Sequence, residues 1–362
     1  KNSPEIFPDM ALAATTKGLS GTSKYGKGPA LEGPYLDLRT GKGNQLAYAR
    51  LQGDLDWGKQ KYFWFKGYTY AVQPGKKIVD LCGASGFGAI RFEPLPDGGI
   101  RRMCREVIVY TDLKSGEVLE DWKNPLTGET VRAVHVDNDP FNYLIEDHFP
   151  TPPSFGGLNK EAPPPKIPFI LPWYQHGDML EMEIHIHLAY PSALQPDKWP
   201  RESAGPIAQV SEFFAHHVKA ADMQNPKLTT LDYTGTWNRI TPWLPWMLMG
   251  QAPGQCQYAC FMGTTKDLEQ VLERPVLDYC HKNFEKYFEA PKVWWNPSIS
   301  PGSLMIYSGA LFAPWRGDAF VGALSGEALI RVDLDGTSAR KGDQWVLADR
   351  AGAHPVATAA SV

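Results

Sequence analysis

Two neighbouring stretches decide the fold: KYFWFKGYTYAV at residues 61–72 and GFGAIRFEPL at residues 86–95. The first is rich in aromatic and β-branched residues, alternates with a period of two, and runs into a Gln73-Pro74-Gly75 turn, a combination typical of a strand that ends in a hairpin. Similar short runs continue to Asn142, separated by Gly-containing turns at intervals of roughly 8–12 residues. This spacing predicts an antiparallel meander that closes or packs on itself.

The same β character returns farther along the chain. The segment DMLEMEIHIHLAY at 178–190 alternates cleanly, part of 208–220 does so too, and CQYACFMG at 256–263 is typical of a closing strand. The segment at 235–254 is too rich in Trp and Pro for a regular element. A helical segment is predicted at 264–291, with Pro275 beginning a second piece. Its apolar face is formed by Val276, Leu277, Cys280, Phe284, Tyr287 and Phe288.

The predicted fold class is therefore mainly β: an antiparallel, barrel-like (lipocalin-like) meander with one or two C-terminal helices and extra C-terminal strands. We divide the chain into an irregular arm at 1–43, a β domain at 44–290 with a Pro-rich loop at 150–168, strands at 291–345, and a disordered tail at 346–362. Within the β domain, LAYARLQGDL at 46–55 is assigned as the first β-type run. The GASGFG sequence at 83–88 is assigned as a short turn between strands.

Composition limits the partners. The net charge is -4 and the pI about 6.2, without a Lys/Arg block, which argues against nucleic acid. No apolar run is long enough to span a bilayer. The five cysteines are few and odd in number, and are assigned as small core residues. A small apolar or aromatic ligand is the expected partner, and a homo-oligomer remains open.

The chain starts at Lys1 and not at Met, as a processed protein would. A removed export signal is one explanation. We therefore expect a periplasmic or exported location slightly more than a cytoplasmic one.

The sharpest local feature is EMEIHIH, where Glu181, Glu183, His185 and His187 share one face of a predicted strand. Three alternatives stay open: a solvated face, a metal-free acid/base or ligand-binding site, and a metal site. No cofactor is predicted. If a divalent metal is bound, two His at i and i+2 would hold it with His217 or His216 as third imidazole.

A second feature is the wall formed by Trp237-Asn238-Arg239 and the Trp/Pro sequence up to Met247. Three Trp with two Pro give rigid apolar surface, and an Arg beside them can bind a carboxylate or stack on a ring. Ordinary core packing is the alternative. The predicted catalytic residues are His185, His187, Glu183 and Arg239. The predicted substrate-binding residues are Trp237, Asn238, Trp243, Trp246 and Tyr190.

A third feature is HVDND at 135–139, followed by Glu146-Asp147-His148. His135 and Asp137 share a strand face, and a carboxylate beside an imidazole can set its tautomer for general base chemistry. Asn138-Asp139-Pro140 is also a strong turn signal. A structural role is the favoured alternative for these acids.

Four strings resemble the bacterial and fungal domain-of-unknown-function 1838 family over roughly residues 44–290. They are RFEPLPDGGIRRMCREV (91–107), DLKSGEVLEDWKNPLTGETV (112–131), VHVDNDPFN (134–142) and GTWNRITPWLPWMLMGQAPG (235–254). The resemblance implies a shared fold, and an export signal of the twin-arginine type in many members. It implies no settled activity.

The segment from Trp294 to Gly336 resembles instead one blade of the soluble pyrroloquinoline-quinone-dependent aldose dehydrogenases, which are six-bladed propellers. A single blade cannot bury both faces of its sheet. Most cofactor-binding and catalytic positions of that family lie in other blades. Quinone binding is therefore not expected here.

The predicted function is a β-barrel enzyme that acts on a small aromatic or apolar molecule by acid/base chemistry. A lyase or isomerase, in lignin-type aromatic catabolism for example, needs only proton transfers. No P-loop and no G-x-S-x-G elbow occur in the sequence. The first alternative is a non-catalytic lipocalin-like binding protein, and the second is a quinoprotein-type sugar oxidoreductase.

Overall fold

A computed structural model of the protein describes residues 28–139, 141–149, 166–285, 288, 301–323, 328–334 and 339–346. The chain divides into two compact units, Lys1–Ala290 and Pro291–Val362. Most of the predicted arm (1–27), most of the Pro-rich loop (150–165) and the predicted tail after Val346 lie outside the described residues.

The first unit contains three α-helices, namely α1 (Gly41–Gln52), α2 (Ala220–Met223) and α3 (Arg274–Phe284). Its strands are β1 (Gln60–Val72), β2 (Val79–Pro94), β3 (Ile100–Thr111), β4 (Asp121–Lys123), β5 (Thr130–Arg132), β6 (Val136–Asp139), β7 (Tyr143–Ile145), β8 (Trp173–His176), β9 (Met179–Pro191), β10 (Ile207–Lys219), β11 (Thr234–Thr241) and β12 (Gln255–Thr265). Short 3-10 helices lie at Pro29–Leu31, Pro245–Met247 and Leu268–Gln270.

Ten strands form one antiparallel sheet in the order β6-β3-β2-β1-β12-β11-β10-β9-β8, with β7 also paired to β3. Two meanders, β1 to β3 and β8 to β12, are joined where the first strand of one pairs with the last strand of the other. β4 and β5 form a separate hairpin around the predicted turn at 125–128. The prediction of a mainly β, antiparallel meander is confirmed.

The sheet curves without hydrogen bonding into a closed ring among the described residues. Its two ends approach each other at a seam, which we define as residues 147–149 and 167–169. There the Phe149 N–H donates to the Ile167 carbonyl at 2.8 Å, and the Phe169 N–H donates to the Asp147 carbonyl at 2.9 Å. The sheet of the first unit is barrel-like because of this short bridge.

Helix α1 lies against the inner face of the sheet and is buried over most of its surface, Ala47, Ala49 and Leu51 being fully buried. The predicted strand at 46–55 is therefore wrong. A helix buried on all sides has no polar stripe, so its sequence lacks the 3.6-residue period by which an amphipathic helix is recognised. Thr40 caps its first turn by accepting the Gly43 N–H at 3.0 Å.

Polar side chains of α1 bind the surrounding backbone. The Asn44 amide donates to the Leu38 and Thr40 carbonyls, and its oxygen accepts from the Leu171 N–H and the Trp173 indole. Arg50 is wholly buried, and its guanidinium donates at 2.8–3.0 Å to the carbonyls of Asp222, Met223, Asn225 and Leu228. Because buried carbonyls need donors, α1 organises the loops around it.

The GASGFG sequence lies inside β2 and is not a turn, which corrects the prediction at 83–88. Gly86 and Gly88 face the interior, where the Phe65 and Phe63 rings of β1 lie across them. A Cβ atom at either glycine would overlap those rings. These glycines therefore serve close packing and not a change of chain direction.

The outer face of β1–β3 is covered by α3. Val276, Leu277, Cys280 and Phe284 are buried against Phe87, Val107 and Val109, as the predicted apolar face requires. Phe288 packs on the same cluster, whereas Tyr287 lies outside the described residues. The segment at 235–254 begins with the regular strand β11, so its prediction as wholly irregular is wrong. All five cysteines are buried and free, as expected.

The second unit is a four-stranded antiparallel sheet with a short 3-10 helix at Ala313–Trp315. Its strands are β13 (Pro301–Ile306), β14 (Ala319–Ala323), β15 (Ala328–Leu334) and β16 (Ala339–Val346). Asp318 accepts the Leu334 N–H and pairs with Arg331 at 3.0 Å. No helix in the described ranges of either unit has the length and apolar character needed to cross a membrane.

We predict that Arg50→Met lowers the free energy of unfolding by about 3 to 5 kcal/mol, because it leaves several buried carbonyls without a donor. Urea unfolding followed by circular dichroism measures the change. The control is Arg39→Met, whose side chain is 46% exposed in an ion pair with Glu32, and should lose less than about 1 kcal/mol. Equal losses in both variants would contradict the structural role given to Arg50.

Candidate functional site

Glu106, Glu212 and Arg239 are among the ionisable side chains that face the interior of the curved sheet. On β3, Glu106 belongs to the same face as the core residues Cys104, Ile108 and Tyr110. On β10 and β11, Glu212 and Arg239 are directly opposite each other and share a face with Phe214 and Trp237. Strand alternation thus turns all three toward the core and not toward solvent.

Glu212 and Arg239 form a loose ion pair. Arg239 Nη1 lies 3.4 Å from Glu212 Oε1, and the two side chains keep 30% and 18% of their surface accessible, respectively. Burial nevertheless raises the pKa of Glu212, against the opposing effect of Arg239. The pair is therefore partly desolvated by its neighbours and still partly accessible.

Glu106 is the most strongly perturbed acid of this group. Burial, and then the nearby carboxyls of Asp139 and Glu212, raise its pKa to about 8, while Arg102 and Arg239 oppose the shift. Asp139 is its register partner on β6. With a pKa near 8, Glu106 is mostly protonated at neutral pH and can donate a proton.

Aromatic side chains surround these groups. The Tyr110 and Tyr258 hydroxyls lie 3.0 Å apart, and burial raises the pKa of both phenols, so neither ionises near neutral pH. Trp237 packs on Phe65 and Tyr258, and Trp246 packs on Tyr110. We call this set, with Glu106, Glu212 and Arg239, the interior cluster.

Arg102 borders the interior cluster from β3. Its guanidinium lies over the Phe63, Phe141 and Tyr143 rings at 4.9–5.9 Å, and Nη1 donates to the Phe141 carbonyl at 2.5 Å. The Tyr143 hydroxyl in turn shares a 2.8 Å hydrogen bond with that of Tyr48 from α1. This connection links the helix to the charged part of the interior.

The predicted catalytic residues do not meet in one site. Glu183, His185 and His187 lie on the outer face of β9, since their neighbours Met182, Ile184 and Ile186 pack in the core. His185 Nε2 is 3.4 Å from Glu183, and the two side chains are 36% and 42% exposed. Only Arg239 of that set faces the interior, so the sheet separates it from the imidazoles.

The alternative metal site is not formed either. His217 faces outward 3.8 Å from Glu181, at some distance along the strands from His185 and His187. His216 faces the opposite way, buried beside Tyr233, where burial lowers its pKa to about 4. In the described part of the chain, no group of three or more His, Cys, Asp or Glu side chains could hold a metal ion.

The predicted substrate-binding residues divide between the two faces. Trp237 and Trp246 belong to the interior cluster. Burial acts to lower the pKa of Arg239, but Glu212 and nearby tyrosines, Tyr190 among them, together raise it above its usual value. Asn238 points to the outer face because it alternates with Trp237 and Arg239. Trp243 is buried and donates to the Ala252 carbonyl at 2.8 Å, a structural contact.

His135 holds backbone groups and is not paired with Asp137. Its Nδ1 accepts the Tyr110 N–H at 3.1 Å, and its Nε2 lies 2.8 Å from the Leu119 carbonyl. Burial lowers its pKa. Both ring nitrogens are therefore used, which supports the structural alternative. Near the seam, His148 Nδ1 pairs with Asp147 at 2.9 Å.

Sequence reasoning missed Glu106, Glu212, Tyr110 and Tyr258. A signal was present in 210–218, where Glu212 and His216 share their register with Val210, Phe214 and Val218. A charged residue on the apolar face of a strand is a candidate for function, since burial without a partner is unfavourable. In β3 the signal was weaker, because Val107 and Val109 make its other face apolar too.

The sequence profile of the family described as "Protein of unknown function (DUF1838)" matches residues 58–301, which is more than half of the chain. A profile described as "Glucose / Sorbosone dehydrogenase" matches residues 276–352, a segment that includes the four strands of the second unit. Among curated proteins, none matches this chain.

We predict that Glu106→Gln stabilises the fold at neutral and alkaline pH. The carboxyl of Glu106 has a pKa of about 8 in the folded state and 4.5 in the unfolded state. Between these two pH values the unfolded chain loses the proton and the folded chain keeps it, so the free energy of unfolding falls as the pH rises. The amide removes this dependence. The variant should gain about 2 to 4 kcal/mol by pH 8, and nothing below about pH 4.

Thermal unfolding at a series of pH values measures this difference. Glu183→Gln, on the outer face of β9, is the matched control and should follow the wild-type curve. A constant offset between Glu106→Gln and wild type across pH would show that Glu106 titrates normally.

Proposed function

The chain belongs to the DUF1838 family, and we propose that it is an enzyme that moves protons on a small aromatic or apolar molecule, as a lyase or an isomerase. The observation that carries this proposal is the grouping of Glu106, Glu212 and Arg239 on three strands of one inner face. Charged groups are unfavourable there unless they interact with a ligand or with one another.

The two glutamates differ in the way that acid/base catalysis needs. Glu106 has two carboxyls near it and retains its proton to about pH 8. Glu212 has Arg239 beside it, which favours its ionised form against the effect of burial. Two carboxyls with such different neighbours can share the roles of general acid and general base, with Glu106 as the acid and Glu212 as the base.

In the proposed reaction, Glu212 removes a proton from a carbon atom of the substrate. The electron pair of that C–H bond becomes part of a double bond within the substrate. Glu106 delivers its proton either to another atom of the same molecule, which gives an isomer, or to a leaving group, which gives elimination. Neither outcome requires a net oxidant or reductant.

Aromatic surface suits the proposed substrate. Phe65, Trp237, Tyr258, Tyr110 and Trp246 provide apolar walls next to the carboxyls. Rings of this kind bind planar ligands and exclude water, which strengthens the electrostatic interactions of the charged groups. A carrier protein of the lipocalin type is the alternative, in which the same walls bind a ligand without reaction.

We predict that the wild-type protein catalyses hydrogen–deuterium exchange at carbon in some members of a panel of small phenyl-substituted acids, ketones and alcohols dissolved in D2O. Proton NMR follows the loss of the C–H signal, so the product need not be known. Glu106→Gln and Glu212→Gln should each slow exchange by about 100-fold or more.

His185→Gln is the control from the outer face, and it should exchange at the wild-type rate. If ligands bind and no exchange is seen with any compound, the carrier alternative replaces the enzyme. If His185→Gln loses as much as Glu106→Gln, the inner face is not the reaction site.

Sugar oxidation is a second candidate because of the match at 276–352. The residues described in the second unit do not fit its quinone and calcium ion. Asp318 is already bonded to Arg331 and the Leu334 N–H, and the described residues contain no cluster suited to a metal. We expect no dye-linked oxidation of glucose after addition of pyrroloquinoline quinone and calcium. Oxidation restored by that addition would favour this candidate.

A further inference from the structure

Three buried hydrogen-bond donors of the interior cluster have no acceptor among the described residues. They are the indole N–H groups of Trp237 and Trp246 and the Nε–H of Arg239. A buried donor without an acceptor is unfavourable by about 1 to 3 kcal/mol, and native proteins contain few of them. Three in one part of the interior indicate a place for an acceptor that the described residues do not supply.

The three donors surround one place. Trp237 and Arg239 are two residues apart on the same face of β11, so their side chains are neighbours. Trp237 packs on Tyr258 with ring centroids 5.4 Å apart, and Trp246 packs on Tyr110 at 5.2 Å. The hydroxyls of those two tyrosines lie 3.0 Å apart. The tyrosine pair thus connects the two indoles.

The guanidinium of Arg239 provides positive charge next to the three donors. Arg239 directs Nη1 toward Glu212 at 3.4 Å, which leaves the edge that carries Nε for another partner. That edge presents parallel N–H groups, the arrangement that binds both oxygens of a carboxylate. The indole N–H of Trp237 is directed at the Glu212 carboxyl and lowers the pKa of Glu212, against the effect of burial, but the geometry falls short of a hydrogen bond, so the donor is free to turn to a better acceptor. The indole therefore borders the same space as the guanidinium.

We propose that the ligand of the interior cluster is an aromatic carboxylate, whose oxygens accept hydrogen bonds from Arg239 and from the Trp237 and Trp246 indoles. This inference rests on the proposed function for the identity of the site, and adds the chemical class of the substrate. The carboxylate lies at Arg239 and the ring lies against Phe65, Tyr110 and Tyr258. Where the carbon next to the carboxylate carries hydrogen, as in an arylacetate, the three donors also stabilise the negative charge that develops on the carboxylate oxygens when that proton is removed.

Binding of matched probes tests the proposal. Benzoate and trans-cinnamate are compared with benzamide and cinnamamide, which have nearly the same shape without the charge. Isothermal titration of wild-type protein should give at least about 10-fold tighter binding of each acid than of its amide. Arg239→Gln should abolish that preference, and Arg239→Lys, which keeps the charge and loses the parallel donors, should retain part of it.

The indole donors have their own readout. In protein labelled with 15N-tryptophan, the acid probes should move the N–H resonances of Trp237 and Trp246 farther downfield than the amide probes do, because a carboxylate oxygen is the stronger acceptor. Trp237→Phe and Trp246→Phe assign the two signals. Trp237→Phe keeps a ring in place, and should weaken binding of the acids about 10-fold while leaving binding of the amides unchanged.

Arg274→Gln, on the exposed surface of α3, is the control and should bind as wild type does. Equal affinity for acid and amide, binding of neither, or a preference that survives in folded Arg239→Gln each overturns the inference. The outcome is separable from that of the proposed function. Preferential binding of acids without deuterium exchange retains the carboxylate site and rejects the enzyme, and exchange confined to neutral compounds does the reverse.

Discussion

The structure depends on the burial of helix α1 inside a curved antiparallel sheet. A helix in that position carries its polar side chains into the core, where each one must find a partner. Asn44 and Arg50 meet this requirement by binding backbone carbonyls and N–H groups of loops that would otherwise lack partners. The helix therefore determines which loops can close one end of the sheet, and with it the depth of the interior.

In the rest of the interior, beside β11, polar side chains are less completely hydrogen-bonded than those of α1. Glu212 and Arg239 are partly accessible and form only a loose ion pair, and the Nε–H of Arg239 has no acceptor among the described residues, in contrast to the fully bonded Arg50. A protein of marginal stability retains such groups only where they serve a purpose. The same sheet thus combines a well-satisfied polar core around α1 with an unsatisfied one beside β11, and that contrast distinguishes the structural residues from the functional candidates.

The strands were predictable because alternation, turn residues and aromatic content agree in segments such as 61–72 and 178–190. Helix α1 was not, since complete burial removes the periodicity on which the prediction rests. Of the predicted site residues, Trp237, Trp246, Tyr190 and Arg239 lie on or beside the inner face, and their role in binding stays a prediction. The outer Glu/His face of β9 was chosen instead of Glu212 because a run of titratable groups is conspicuous in sequence, while a single glutamate on an apolar face is not.

Gly88 and Phe63 illustrate how this interior can change over evolution. The ring of Phe63 occupies the space that any side chain at position 88 would need, and Glu106 is the neighbour of Gly88 on the other side. A larger residue at 88 is acceptable only if the ring at 63 becomes smaller in the same lineage. The two positions should therefore vary together among relatives, and each exchanged pair would reshape the wall next to Glu106 while preserving the strands that hold it.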